Sequence, residues 1–537
     1  MKKHNTVKVV LITILVLLLL TWIFPAAYYS GQYVDQGRVQ MGLSELFNYP
    51  MTVISYFGHI AILIIFVGSF YGILYKIPAY RKFLDKIVSL FKGKEFWFLS
   101  IVTVLLALGV SFAGIQLGLA LFIPFFVSLI LLMGYDKKVA ALVVVGGISA
   151  GFVGTTFAAN NTSLLTSLLS LKYDFQIGVR FVILLVAIVL VLFNILMYAK
   201  TSTKKKVLVV EEKKEDSNKK VEIDTQKVET KTASKSKTTK TKSVRVSKNT
   251  KSSSKNKNHN KAALRDEDIL VIKENVFSKG ENDDYLIPSR VESKNRIWPF
   301  TLFFSLLFVL LVLAFISWGD AGFGVKFFDD LTSKFQEFEL FGFPIFAKVY
   351  GSINSFGNWS VIDLFLPMAL VILILSIIYK IKLNDIFDGA VEGAKKAAAP
   401  AFVVVLVYTV LVLTTYHPFQ LPIYKVILGL TKGFNIITTT LVTFLSAFFN
   451  IEPAYVFQGV LPYYVTVVTK AADYPLVGVI AQSMYGVVSL FAPTSLVLMV
   501  VLSYLKVSYK DWLKTVWKLL LELFVVLLII FIILALL

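Results

Sequence analysis

The chain has 537 residues, of which 56% are hydrophobic and only 16% are charged, and it contains no cysteine. A soluble domain has closer to a quarter charged residues, so this balance predicts an all-α polytopic membrane protein instead. The absence of cysteine excludes disulfides and thiolate metal ligands, and with four histidines we expect no metal centre.

Half of the net charge of +20 lies in one segment, residues 201–296. From Thr230 to Lys261 there are eleven basic residues and no acidic one. A Ser/Thr/Lys-rich tract of this kind cannot bury a core, so residues 200–297 are predicted to form a disordered basic cytoplasmic linker. This composition fits weak attraction to anionic lipid headgroups better than it fits nucleic-acid binding. We therefore expect no nucleic-acid partner.

The first apolar runs cover residues 7–28 and 52–75, and basic residues follow between 76 and 94. By the positive-inside rule this basic stretch and the N-terminus are cytoplasmic. The first run also resembles a secretory signal peptide, but it is long and no secreted domain follows it. Residues 1–51 are therefore assigned as a first transmembrane helix with an external loop.

Residues 52–199 are predicted to form a first membrane repeat. After its first span and an amphipathic helix, residues 96–134 are too long for one span and are interrupted at 114–118, which fits either two spans or a re-entrant hairpin. Residues 139–172 contain a polar break, and 175–199 form a final span.

The same order recurs in residues 399–537, after the linker and the connecting transmembrane helices of 298–398. A span, an amphipathic segment, an interrupted stretch around Asn450 and Glu452, a second polar break and a last span follow one another. Charge placement puts the two amphipathic segments on opposite sides of the membrane, so the sequence predicts two inverted repeats.

The two polar breaks carry the functional prediction. One reads Asn160-Asn161-Thr162-Ser163 and the other Pro493-Thr494-Ser495. Ordinary helix capping would also use these residue types, but paired breaks in corresponding places are typical of a secondary transporter's binding site. Half-helix N-termini suit a carboxylate, and freed oxygens suit Na⁺. Glu452, an acid in an apolar context, suits proton coupling or a substrate amino group.

Five short motifs, in order, resemble the YfcC-like and DcuC-type C4-dicarboxylate anaerobic carrier family of the ion-transporter superfamily. They are Trp22-Ile23-Phe24-Pro25-Ala26, Gly134-Tyr135-Asp136, Glu392-Gly393-Ala394-Lys395, Ala492-Pro493-Thr494-Ser495 and Tyr509-Lys510-Asp511-Trp512-Leu513-Lys514. The resemblance covers nearly everything except 201–296. The motif around Pro493 is the most specific of the five.

This resemblance implies a scaffold domain and a mobile transport domain with two re-entrant hairpins and two unwound helices around the substrate. Carried over by position, the substrate-binding residues are Gln116 at the first hairpin tip, Asn160, Asn161, Thr162 and Ser163 at the first unwound helix, Asn450 and Glu452 at the second tip, and Thr494 and Ser495 at the second unwound helix. The residues at both hairpin tips, and Leu496, differ from those usual in the family. This difference predicts a substrate other than the family's typical ones.

Together these observations predict a secondary active transporter of a small carboxylate-bearing metabolite, either a dicarboxylate or an amino acid, across the plasma membrane by alternating access. It has no phosphate-binding loop and no catalytic constellation, so we expect neither an enzyme nor a cofactor. Transport is then ion-coupled, by Na⁺ or H⁺, or proceeds by exchange. The resemblance also suggests a homodimer. The alternative is a membrane scaffold or receptor whose basic linker recruits partners.

Overall fold

A computed structural model describes residues 5–201, 286–289, 294–319, 322–450 and 452–536 of the chain. Its backbone divides into two units, Met1–Ala199 with Asp284–Leu537, and Lys200–Asp283. Most of the predicted linker lies outside the described residues, and so does the side chain of Asn160. The first unit contains the helices that could cross a membrane.

The first half of this unit is helical apart from one short hairpin of strands. Its helices are α1 (Asn5–Ile23), α2 (Leu43–Tyr75), α3 (Pro78–Leu90), α4 (Glu95–Ala113), α5 (Ile123–Leu132), α6 (Lys137–Val153), α7 (Ala159–Leu168) and α8 (Ile177–Thr201). Strands β1 (Ala26–Tyr29) and β2 (Tyr33–Gly37) pair antiparallel between α1 and α2.

The second half begins with helices that connect it to the first. They are α9 (Trp298–Phe315), α10 (Phe327–Glu337), α11 (Ile345–Tyr350) and α12 (Phe365–Ile378). The remaining helices are α13 (Leu383–Tyr416), α14 (Gln420–Leu428), α15 (Ile436–Phe449), α16 (Pro453–Val460), α17 (Tyr474–Ser489), α18 (Leu496–Leu505) and α19 (Tyr509–Leu536).

Eight segments of the described chain are helical, long and apolar enough to cross a membrane. Seven of these segments are the helices α1, α2, α4, α8, α9, α13 and α19. The eighth is Val361–Ile378, which includes α12. This confirms the predicted polytopic, all-α membrane fold, because in lipid a helix satisfies its own backbone hydrogen bonds.

Local signals in the sequence explain where several of these helices begin and end. Asp136 caps α6 by accepting a hydrogen bond from the Val139 amide at 2.8 Å, and Asn435 caps α15 in the same way. At the end of α4, Gly114 has a φ of 68°, a left-handed conformation that glycine adopts without strain. The interrupted stretch of residues 96–134 therefore turns back on itself at this glycine.

One series of helices, α2 to α8, lies in the first half of the chain, and a second series, α13 to α19, lies in the second half. Two pairs of helices, each with one member from either series, run antiparallel where they touch. Gly68 and Gly72 of α2 meet Gly393 and Gly389 of α13, respectively. The hydroxyl of Ser149 on α6 hydrogen-bonds the hydroxyl of Ser489 on α17. Further along α6, the Val153 carbonyl accepts a hydrogen bond from Ser483, which precedes Ser489 on α17.

The helices α2 and α13 are longer than the spans predicted for them. The sequence placed these spans at 52–75 and 399–416, whereas the helices begin at Leu43 and Leu383. Both contain an internal proline, Pro50 and Pro400 respectively. The helices continue through these prolines into their polar first turns, which hydropathy alone does not include.

A short strap, Leu286–Ser289, packs against α3 and α5 although it falls within the segment predicted to be disordered. Leu286 is fully buried, and its carbonyl accepts a hydrogen bond from Ser128 at 2.6 Å. Arg81 donates to the Pro288 carbonyl at 2.8 Å. The predicted linker is thus too long at its C-terminal end.

Candidate functional site

The second discontinuous helix breaks where the sequence predicted, but the first breaks earlier than predicted, because Asn160 to Ser163 lie within the first turns of α7. The first break, residues 154–158, separates α6 from α7. It is held by the tip of the α4–α5 hairpin, since the Ser111 carbonyl accepts hydrogen bonds from the backbone amides of Thr156, Phe157 and Ala158 at 3.0 to 3.1 Å. These amides would otherwise be unpaired, so the hairpin satisfies the broken backbone.

The second break, residues 490–495, separates α17 from α18 and is held by the α15–α16 hairpin. Thr494 donates from its hydroxyl to the Phe448 carbonyl at 2.7 Å. Asn450, at the tip of that hairpin, donates to the Ser446 carbonyl at 3.1 Å and accepts from Thr414 at 3.4 Å. Thr494 therefore fixes the hairpin against the break, and Asn450 joins the hairpin tip to α13.

One small cavity lies between the two hairpin tips and the two discontinuous helices. Residues from both halves of the chain line it: Gln116, Leu117, Val145, Ile148, Ser149, Phe152, Glu452, Tyr485, Ser489, Ser495, Leu496 and Val497. The structure thus brings together Gln116, Glu452 and Ser495 of the predicted site residues. Its polar lining consists of hydroxyls, one amide and one carboxyl group, and the described lining residues include no lysine, arginine or histidine.

Gln116 connects this cavity to the first discontinuous helix. Its side-chain amide donates to the Asn161 side-chain oxygen at 2.6 Å. Asn161 is buried and donates in turn to the Val110 carbonyl at 3.4 Å. Asn161 therefore lies behind Gln116 and orients it.

Two of the other predicted residues lie away from the cavity lining. Thr162 is buried and donates to the Ala158 carbonyl at 3.2 Å, within its own helix. Ser163 is exposed on α7. Asn160 is the second residue of α7, and its side chain lies outside the described part of the chain.

Glu452 is held by α13. Its carboxylate accepts a short hydrogen bond from the hydroxyl of Tyr408, a fully buried residue. The Tyr408 ring stacks on Phe57 of α2, with the ring centroids 4.5 Å apart. The only acidic group among the described lining residues is thus fixed by the helix pair α2 and α13.

Three polar lining residues, Ser149, Tyr485 and Ser489, were not predicted. The hydroxyls of Ser149 and Ser489 are 2.9 Å apart and join α6 to α17. Each serine lies in an apolar helix shortly before its break. A hydroxyl in that position is the sequence signal that would have identified them.

The sequence analysis also missed Arg180, in the first turn of α8. Its guanidinium is fully buried and donates to the carbonyl of Thr155 at 2.7 Å and to that of Thr156. Tyr173 donates to the Phe157 carbonyl, and Gln482 of α17 adds a bond to Thr155 at 2.8 Å. The carbonyls released at the end of α6 are therefore paired by a cation and two neutral donors.

The second break is capped in the same way but without a charge. Trp512, in the first turn of α19, donates from its indole to the Leu490 carbonyl at 2.9 Å. Tyr509 donates to the Phe491 carbonyl at 2.6 Å. Each broken helix is thus capped by the first turn of the long helix that follows it.

The N-terminus of α18 opens on the cavity, because Ser495, Leu496 and Val497 line it. The first amides of a helix have no partner within it and carry partial positive charge, which favours an anion. The described residues contain no group of three or more His, Asp or Glu side chains able to hold a metal ion. The lining therefore offers the first amides of α18, several hydroxyls and the Gln116 amide as hydrogen-bond donors.

The fold and cavity define a multi-pass membrane protein with an internal polar site built from two broken helices. A model of the C4-dicarboxylate anaerobic carrier family, DcuC, matches residues 4–243 and 301–536. The chain belongs to this family, as its sequence motifs indicated, and the family is one of membrane transporters, not of enzymes. No curated protein and no solved structure matches the chain.

Proposed function

We propose that the protein is a secondary active carrier of a small carboxylate-bearing metabolite, a C4-dicarboxylate or an amino acid, across the plasma membrane. The observation that supports this most is the single cavity shared by both discontinuous helices and both hairpin tips. A shared internal site at paired helix breaks is what a carrier needs to present one substrate to either side in turn.

In this proposal the two helix series are inverted repeats, and transport proceeds by alternating access. The antiparallel course of α2 against α13, and of α6 against α17, supports an inverted relation. The crossed pair α2 and α13 would serve as the scaffold, and the hairpins and broken helices would move with the substrate. The N-terminus and residues 200–297 would face the cytoplasm, and a homodimer would fit the scaffold role.

The substrate carboxylate would bind at the N-terminus of α18. Its first amides, the Ser495 hydroxyl and the Gln116 amide provide donors on one side of the cavity. The hydroxyls of Ser149 and Ser489 face it from the other helices. A driving force is still required, either an ion gradient or exchange for a second solute.

Reconstituted proteoliposomes test this function. Vesicles preloaded with unlabelled succinate should take up labelled succinate by counterflow, while empty or heat-inactivated vesicles should not. Ser495→Ala should raise KM for succinate severalfold, because it removes a lining hydroxyl. Ser167→Ala, the same change on the exposed face of α7, should leave KM unchanged. Equal KM values for the two folded variants, or no uptake of dicarboxylates and amino acids by the wild-type protein, would reject the proposal.

A further inference from the structure

The backbone oxygens of the first break are already occupied by protein donors. Every carbonyl from residue 154 to residue 157 accepts a hydrogen bond, and Arg180 provides two of these bonds. A sodium ion needs such oxygens as ligands, but a guanidinium beside them repels a second cation. The structure therefore disfavours this break as a sodium site.

Glu452 poses the opposite problem, because it adds a negative charge to a cavity proposed to take an anion. The described lining residues contain no cation that would compensate it. The titratable side chains that interact with it are the tyrosines Tyr408 of α13, Tyr455 of α16 and Tyr485 of α17. An ionised Glu452 and a dicarboxylate would repel each other across a cavity with little water to screen them.

We infer that Glu452 is the proton-binding site of the carrier and that it is protonated when a dicarboxylate occupies the cavity. This rests on the proposed function. The proton passes from water on the entry side to a carboxylate oxygen of Glu452, and returns to water on the exit side after the substrate leaves. No bond to the substrate forms or breaks. Neutral Glu452 can also donate a hydrogen bond, so it attracts the anion that its ionised form repels.

Two transport modes, succinate counterflow and proton-driven succinate accumulation, are measured on the same proteoliposomes. The inference predicts different results for the two modes. Glu452→Gln mimics the protonated side chain permanently, so its succinate counterflow should fall much less than its proton-driven accumulation, because counterflow needs no net proton movement. The variant should lose at least tenfold in succinate accumulation driven by an inwardly directed proton gradient. An entrapped pH dye should report proton entry with succinate for the wild-type protein and none for this variant. Replacing Na⁺ with K⁺ should change neither mode.

Glu522→Gln is the matched control. Glu522 lies on α19, away from the cavity lining, where it accepts from Asn194 at 2.6 Å and pairs with Lys518 at 3.6 Å. This variant should keep both modes. Proton-driven accumulation by folded Glu452→Gln would overturn the inference, as would loss of both modes or a strict requirement for Na⁺. If the wild-type protein shows no dicarboxylate counterflow at all, it is the proposed function that fails.

Discussion

The buried Arg180 guanidinium makes its described hydrogen bonds to backbone carbonyls, and the carboxylate of Asp174 interacts with it only electrostatically. Four carbonyl oxygens accept its hydrogen bonds, and the ring of Phe175 lies 4.5 Å from its Cζ. Burying a charge is costly unless hydrogen bonds replace its hydration. The planar guanidinium distributes its donors over several carbonyls at once, which the single ammonium of lysine cannot do.

Replacing Arg180 should disturb the backbone of the first break, whose carbonyls it pairs, more than the rest of the fold. Arg180→Met leaves buried carbonyls without donors, at about 1–3 kcal/mol for each, so we expect a clearly lower Tm and loss of succinate counterflow. Arg180→Lys should recover part of the Tm but little transport. Arg296→Met, at an exposed arginine, is the control, and an Arg180→Met protein with wild-type Tm and KM would contradict the assigned role.

Gln116 and Asn161 should act as a pair because their side-chain amides are 2.6 Å apart. A double-mutant cycle with Gln116→Ala and Asn161→Ala should show a coupling energy of about 0.5–3 kcal/mol in succinate binding. Binding is measured as the rise in Tm with succinate concentration. Strictly additive effects would show that Asn161 does not orient Gln116.

At the scale of elements, the close packing of helices α2 and α13 depends on glycine. A Cβ atom on Gly72 would lie 2.1 Å from the Gly389 carbonyl oxygen, and one on Gly393 would lie 2.0 Å from the Gly68 oxygen. Only glycine permits this backbone contact, as in other closely packed membrane helices. The two longest helices of the described chain are therefore joined with no side chain between them at these positions.

Gly72→Ala should separate these helices and lower the stability of the fold by about 1–3 kcal/mol, the usual cost of overpacking. Thermal unfolding in detergent measures the effect. Gly58→Ala on the same helix places its Cβ 3.7 Å from Ile54, an ordinary contact, so its Tm should stay level or rise slightly through helix propensity. Equal Tm values for the two variants would argue against a fixed crossing.

Much of the element order could be predicted from the sequence, because each element leaves a local signal. Pro493 and the polar residues after it mark the second break, and Lys76 and its neighbours mark the end of α2. The capping by Arg180 could not be predicted, since its partners in residues 154–157 are distant along the chain and become neighbours only through packing. For the same reason, hydropathy did not distinguish Ser495, which lines the cavity, from Ser163, which is exposed.

On the scale of the whole molecule, the strap Leu286–Ser289 connects the end of the basic segment to the helices of the first half. Leu286 is buried and bonded through its carbonyl to Ser128 of α5. Leu286→Ala should therefore lower stability by about 2–5 kcal/mol, the range for a core leucine. Ile287→Ala, at a half-buried neighbour, should cost clearly less by thermal unfolding.

Replacing residues 202–283 with a Gly/Ser linker of equal length should leave succinate counterflow within about twofold of wild type. The helices and hairpin tips that line the cavity lie outside this segment, and a flexible linker of equal length preserves the reach of the connection. The comparison is made on proteoliposomes with equal protein content. Lost counterflow in a folded protein would instead support a role for the basic segment in the carrier cycle.

The unequal caps of the two breaks have an electrical consequence. Trp512 and Tyr509 are neutral, whereas Arg180 holds a fixed positive charge at the first break. If helix α8, which carries Arg180, shifts across the bilayer during the proposed cycle, the membrane voltage does work on the guanidinium, about 2.3 kcal/mol per charge crossing 100 mV. Turnover would then respond to voltage even when the solute and its companion ion carry no net charge.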